Sequence, residues 1–197
     1  MKIISWNLLH SIGATLEHVA ALIDQEKPDL LLMQETTADI DRLSHRVEGH
    51  YARNPLPGRK HGLAAWSPSP FCEPPTELTL QPGIFVKRVC QLIALDDFTV
   101  ANVHLSHGQL MNRRQLRRIA GLLPARAAII GDCNMVGPPF LPDFLDVGPR
   151  DPTHAFVNMV PLRLDRCFVR GLECLGADLL ARTGSDHHPI IVHLRPA

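Results

Sequence analysis

Five side chains with oxygen donors follow or precede apolar, strand-like segments, and they are the residues in this sequence best suited to chemistry. They are Asn7, Glu35, Asp132, Asn134 and Asp186. Proteins commonly place functional groups at strand ends, on loops that a rigid frame holds in position. Several carboxylates gathered in one cleft would repel each other, so a bound cation is the expected compensation. Because oxygen ligands are hard, the set indicates Mg²⁺ or Mn²⁺ rather than Zn²⁺.

The hydrophobic pattern predicts the elements that must position these groups. Apolar runs predict strands over residues 2–6, 29–34, 63–67, 85–95, 98–105, 127–130, 166–169, 174–180 and 190–194, with a turn at Asp96-Asp97 joining the fourth and fifth. Helical spacing predicts amphipathic helices over about residues 14–26, which Pro28 ends, and about residues 109–123. Many strands with two helices indicate a layered α/β protein in which sheet packs on sheet and the helices lie outside.

Length and charge limit the classes of function. The chain has 197 residues, of which 45% are hydrophobic and 20% charged, so we expect one globular domain. Its 20 basic and 20 acidic side chains cancel. A protein that holds nucleic acid mainly by its overall charge would be basic, so any polyanion must meet a local patch. The N-terminus resembles no signal peptide and no apolar run is long enough to span a bilayer, so we expect a cytoplasmic protein.

Six short motifs occur beside the predicted strands. They are Ser5-Trp6-Asn7, Gln34-Glu35, Asn102-Val103-His104-Leu105, Gly131-Asp132-Cys133-Asn134, Leu164-Asp165-Arg166 and Ser185-Asp186-His187-His188-Pro189. Each motif alone is weak, but their order along the chain resembles the endonuclease/exonuclease/phosphatase superfamily, which has the fold of deoxyribonuclease I. The resemblance implies a four-layered α/β/β/α sandwich formed by residues 1–197 as a single domain. It also implies metal-assisted hydrolysis of a phosphate ester.

The resemblance assigns metal and water-activating roles to the oxygen-bearing residues. Glu35 matches the principal metal ligand of the family, and Asn7 and Asp186 match residues close to the ion. Asp132 matches the residue that orients or deprotonates the attacking water, and Asn134 matches a residue that supports it and the phosphate. This agrees with the chemistry, because a divalent cation offsets the charge of a phosphodiester and an aspartate can accept the proton of water.

The resemblance also assigns roles to two histidines. His187 matches the histidine at the phosphate, and Asp165 matches the acidic partner that orients it. His104 matches a second histidine on the phosphate side. Histidines placed there would stabilise the charge that develops on the phosphate oxygens. A carboxylate beside the imidazole would keep it protonated and correctly directed.

The substrate class is open to three interpretations. Residues 42–61 contain eight basic or histidine side chains against only Glu48 and follow Glu35 along the chain, which favours a nuclease acting on DNA or RNA. The neutral net charge and a length below that of many relatives favour a small-molecule or phospholipid phosphate ester instead. A binding module without activity is the third interpretation, but the chain keeps every residue that the resemblance assigns to catalysis.

Overall fold

Two six-stranded mixed sheets form the centre of the computed structural model, which describes residues 1–10, 12–81, 87–154 and 160–197. The first sheet has the order β11-β12-β1-β2-β4-β3 and contains β1 (Lys2–Asn7), β2 (Leu30–Thr36), β3 (His50–Pro55), β4 (Gly62–Ser67), β11 (Leu172–Leu179) and β12 (Ile190–Pro196). The second has the order β5-β6-β7-β8-β10-β9 and contains β5 (Thr76–Thr79), β6 (Val89–Ala94), β7 (Thr99–His104), β8 (Ala127–Asp132), β9 (Leu145–Asp146) and β10 (Asp165–Arg170). Only two neighbouring pairs of these strands are parallel, β1 with β2 and β7 with β8.

Both faces of the central strands are buried, because side chains alternate between them. In β1, Ile3 packs between the two sheets, whereas Ile4 and Trp6 pack on the opposite face toward the first helix. In β2, Leu30 and Leu32 likewise face the second sheet. This burial on two sides explains why these strands appear in the sequence as continuous apolar runs.

Helices cover the outer faces of both sheets. Helix α1 (Leu16–Glu26) begins after Thr15, whose hydroxyl accepts the His18 N–H, and it packs Val19 and Ile23 on the first sheet. A 3-10 helix (Ala38–His45) packs on the same face. Helix α2 (Gln109–Leu122) packs its apolar side on the second sheet. The layers are therefore helix, sheet, sheet and helix, which confirms the predicted α/β/β/α sandwich. No helix in the described ranges is long and apolar enough to cross a membrane.

Three strands were not predicted, and all three lie at sheet edges. Strands β3 and β9 are edge strands, and β5 is the opposite edge of the second sheet. An edge strand pairs on one side only and exposes more of its surface, so it lacks a continuous apolar run. Residues 85–86 of the predicted strand 85–95 lie outside the described residues, and β6 begins at Val89.

Strand register brings the sequence motifs to one edge of the sandwich. Asn7 at the end of β1 lies beside Gln34 near the end of β2, and His104 at the end of β7 lies beside Asp132 at the end of β8. Asp165 begins β10 opposite Asp132, because β10 is antiparallel to β8. The carboxyl ends of parallel strands are where α/β sheets place their sites.

Candidate active site

Asp132 lies at the centre of a buried polar cluster. Its Oδ2 accepts hydrogen bonds from Asn7 Nδ2 (3.0 Å) and Asn134 Nδ2 (3.3 Å), and its Oδ1 accepts the Asn134 N–H (2.8 Å). Asn134 adopts a left-handed backbone conformation (φ 47°), which asparagine tolerates better than most residues. Burial raises the pKa of Asp132, and the charge of His187 and the amide donors act in the opposite direction. A carboxylate with a raised pKa is suited to accept a proton.

His187 is held from both sides. Its Nδ1 lies 2.8 Å from Asp165 Oδ2, and its Nε2 lies 3.9 Å from Asp132 Oδ2. Burial lowers the pKa of His187, but the charge and hydrogen bond of Asp165, with the charges of Asp132 and Asp186, raise it to about 10. The imidazole is therefore a cation at neutral pH, directed by Asp165.

Ser185 and Trp6 explain how the loop that carries His187 is attached to β1. The Ser185 hydroxyl donates to the Asn7 carbonyl (2.6 Å) and accepts the His187 N–H (3.1 Å). The Trp6 indole donates to the His187 carbonyl (3.2 Å). These bonds link two motifs that are almost 180 residues apart in sequence, so they fix His187 relative to Asn7.

His104 completes the group on the second sheet. Its Nε2 lies 3.4 Å from Asp132 Oδ2, and its Nδ1 lies 3.9 Å from Glu35 Oε1. Burial and the positive charges of Arg88 and His187 hold the pKa of His104 well below its usual value. His104 is therefore neutral rather than cationic at pH 7.

Glu35 projects toward this cluster because β2 bulges at that residue. The register with β4 shifts between Gln34 and Thr36, and Glu35 takes a left-handed conformation (φ 57°). Strained non-glycine residues of this kind concentrate at functional sites. Glu35 Oε2 accepts the His10 N–H (3.1 Å) and contacts the His10 ring. Burial raises the pKa of Glu35, but the hydrogen bonds and charge of His10 outweigh it, so the pKa lies below its usual value.

Asp186 lies beside His187, and its two oxygens differ in their surroundings. Its Oδ2 is 3.2 Å from His154 Nε2, whereas its buried Oδ1 has no hydrogen-bond partner among the described residues and lies 4.0 Å from His187 Nε2. The carboxylates of Asp186 and Glu35 and the amide oxygen of Asn7 are hard oxygen donors. An orphaned buried oxygen and such donors suit a divalent cation such as Mg²⁺ or Mn²⁺.

Two functional candidates were missed from the sequence. Arg88 is 4% exposed, and its Nε lacks a hydrogen-bond partner within the described ranges. The charges of Asp132 and Glu35 act against the burial that lowers the pKa of Arg88. The available signal was a charged residue interrupting the apolar run at 85–95. His154 contacts Asp186 but lies in no motif, so no signal pointed to it.

The expectation that the basic segment at residues 42–61 contacts phosphates stays a prediction, and three of its arginines are already paired with carboxylates. They form ion pairs: Arg42 with Asp39, Arg46 with Glu17 and Arg53 with Asp41. Within this segment, His61 lies near the site: its ring stacks on that of His10 (4.1 Å between centroids), beside Glu35.

Comparison with known families identifies the class of protein. A sequence model of the Endonuclease/Exonuclease/phosphatase family matches residues 4–187. The chain therefore belongs to the endonuclease/exonuclease/phosphatase family, as its motifs predicted. Members of this family are hydrolases that act on phosphate esters and generally use divalent metals. No curated protein matches the chain.

Solved structures share the fold at low sequence identity. An endonuclease/exonuclease/phosphatase from Beutenbergia cavernae is 17% identical with a TM-score of 0.78, and the match covers 100% of this chain and 71% of that one. A humanized TDP2 from D. rerio is 16% identical (TM-score 0.75; 99% and 98% covered). A mannosyl-6-phosphatase from Bacteroides thetaiotaomicron is also 16% identical (TM-score 0.78; 99% of each chain covered).

Proposed function

We propose that this protein is a divalent-metal-dependent phosphodiesterase that cleaves P–O ester bonds, with nucleic acid as its substrate. The observation that carries the proposal is the convergence on Asp132 of a directed cationic histidine, a neutral histidine and two asparagines, beside hard oxygen donors. Each of these groups has a separate task in hydrolysing an anionic ester. We assign the metal to Glu35, Asn7 and Asp186.

Asp132 activates the attacking water in this proposal. Its raised pKa lets it accept the water proton as the water oxygen bonds to phosphorus and the bond to the leaving oxygen breaks. Asn7 and Asn134 hold the carboxylate in one orientation through their amide groups. The metal, when bound, offsets the negative charge of the phosphate and polarises the P–O bond.

The positive charge for the phosphate oxygens comes from His187 and Arg88. Asp165 keeps His187 protonated, and Arg88 is a buried guanidinium whose Nε is free to donate within the described part of the chain. Such preorganised donors stabilise charge as it develops in the transition state. In this proposal His104, which is neutral, donates a hydrogen bond to the same phosphate oxygens.

A small-molecule phosphate ester is the second candidate, and the ion pairs of residues 42–61 favour it. Arginines already paired with carboxylates contribute little to binding a polyanion. The fold serves both kinds of substrate: a D. rerio TDP2 structure contains a single-strand DNA product, and the Bacteroides protein is a mannosyl-6-phosphatase.

A substrate panel with metal removal tests the proposal. The panel contains supercoiled plasmid DNA, single-stranded DNA and RNA, bis-p-nitrophenyl phosphate, p-nitrophenyl phosphate and a sugar phosphate. We expect cleavage of nucleic acid that EDTA abolishes and that Mg²⁺ or Mn²⁺ restores. Turnover of small esters without any nicking of nucleic acid would establish the second candidate. No turnover of any ester with either metal would contradict both.

A further inference from the structure

The backbone fixes His154 against the loop that carries Asp186 and His187. His154 exchanges two backbone hydrogen bonds with Leu162 (2.9 Å each), and the His188 N–H donates to the Thr153 carbonyl (2.8 Å). The Thr153 hydroxyl in turn accepts the N–H groups of Leu164 and Asp165. His154 is therefore placed by main-chain pairing, so its position does not depend on a bound ligand.

The His154 side chain contacts both members of the Asp186-His187 pair. Its Nε2 lies 3.2 Å from Asp186 Oδ2, and its ring centroid lies 4.6 Å from that of His187 with an interplanar angle of 57°. The side chain is 16% exposed. The tautomer that carries hydrogen on Nε2 donates it to the carboxylate, which has no donor of its own.

The two oxygens of Asp186 are consequently not equivalent. Oδ2 is occupied by His154, whereas the buried Oδ1 has no partner among the residues described. A carboxylate held at one oxygen offers the other as a single ligand in a fixed direction. Partners of this kind orient metal ligands, and their loss typically reduces metal affinity or activity by about 10- to 100-fold.

We propose that His154 is a positioning residue that holds Asp186 so that Oδ1 binds the divalent cation with one oxygen. This inference rests on the proposed function, because it assigns Asp186 to the metal. It gives this chain a metal-supporting residue outside all six motifs. His154 acts through Asp186 and takes no part in the transfer of a proton.

Two substitutions separate the hydrogen bond from the ring. His154→Phe keeps a ring against His187 but removes the donor, whereas His154→Gln keeps an N–H group near the position of Nε2. His193→Phe is the matched control, because His193 is an exposed histidine on β12. The dissociation constant for Mn²⁺ alone is measured by calorimetry, and the thermal midpoint shows that each variant folds.

We expect His154→Phe to weaken Mn²⁺ binding about tenfold, with His154→Gln within about threefold of the original protein and His193→Phe unchanged. In an Asp186→Asn background, His154→Phe should have little further effect, because both changes remove the same interaction. Equal Mn²⁺ affinity in His154→Phe and the original chain would overturn the proposal. So would additive effects in the double variant, a His154→Gln variant as weak as His154→Phe, or no Mn²⁺ binding by the original chain.

Hydrolysis is measured separately in the same samples. Absence of ester turnover together with His154-dependent Mn²⁺ binding would contradict the proposed function alone. Normal turnover together with His154-independent Mn²⁺ binding would contradict the positioning role alone.

Discussion

Asp165 has no direct contact with the proposed reaction, yet it determines the charge of the site. Its carboxylate is fully buried and lies 2.8 Å from His187 Nδ1. With this partner the pKa of His187 is about 10, against an ordinary value of 6.5. The folded protein therefore binds a proton that the unfolded chain releases. This contribution to stability is complete below pH 6.5 and is lost as the pH rises through about 10.

Asp165→Asn should lower the pKa of His187 and move the alkaline limb of the kcat/KM profile to lower pH. An amide is nearly the same size but carries no charge to favour the imidazolium. We expect kcat at pH 8 to fall by about 10²–10⁴-fold. The pH profile of ester hydrolysis measures this, with the exposed Asp97→Asn as the control. An alkaline limb that does not move would contradict the role assigned to Asp165.

At the scale of elements, a glycine allows β7 and β8 to place His104 beside Asp132. Gly131 has a φ of 141°, and a Cβ there would lie 2.2 Å from the Val103 carbonyl oxygen. Only a residue without a side chain permits this approach. The glycine of the Gly131-Asp132-Cys133-Asn134 motif is thus required by strand packing, whereas its aspartate and asparagine are directed into the site.

Gly131→Ala should destabilise the fold by about 2–4 kcal/mol, because the cost of overpacking and the cost of a strained φ add to each other. Gly121→Ala is the matched control: Gly121 lies in α2 with open space around its Cβ position. That change should stabilise the protein by about 0.5–1 kcal/mol. Urea unfolding at 25 °C measures both variants. Equal effects of the two substitutions would contradict the explanation.

The sequence predicted the central elements better than the edges, for physical reasons. Strands β1, β2 and β8 are buried on both faces, so continuous apolar runs predicted them. Strand β3 is an edge strand with polar residues, so no such run marked it. The motifs supplied the residues around Asp132 through a family resemblance. Arg88 and His154 were missed because their positions depend on how the chain folds between motifs, which local periodicity does not encode.

At the scale of the whole molecule, the two sheets are tied together beneath the site. Gln34 Nε2 in the first sheet donates to Asn102 Oδ1 in the second (2.8 Å), and Asn102 Nδ2 donates back to the carbonyls of Met33 and Ala64. All of these groups are buried. Gln34 and Asn102, two further motif residues, therefore join the two sheets.

The zero net charge predicts that the affinity for any bound nucleic acid depends only weakly on salt concentration. The net charge is zero, and Arg42, Arg46 and Arg53 are paired with carboxylates. If the bound strand gains about two phosphate contacts, log K against log[salt] should have a slope of about −1.4. Titration of a single-stranded oligonucleotide with the Asp132→Asn variant, over a range of NaCl concentrations, measures it. A slope steeper than about −4 would instead indicate an extended basic face.

The central claim is that the cluster around Asp132 hydrolyses phosphate esters, and comparison of two aspartate variants tests it most directly. The measurement is kcat for bis-p-nitrophenyl phosphate, or for the best substrate of the panel, in saturating Mn²⁺. Asp132→Asn keeps the size of the side chain but removes the proton acceptor, and we predict a loss of at least about 10³-fold with an unchanged thermal midpoint. Asp97→Asn, in the turn between β6 and β7 at the opposite end of β7, should keep full activity. Full activity in folded Asp132→Asn would contradict the account.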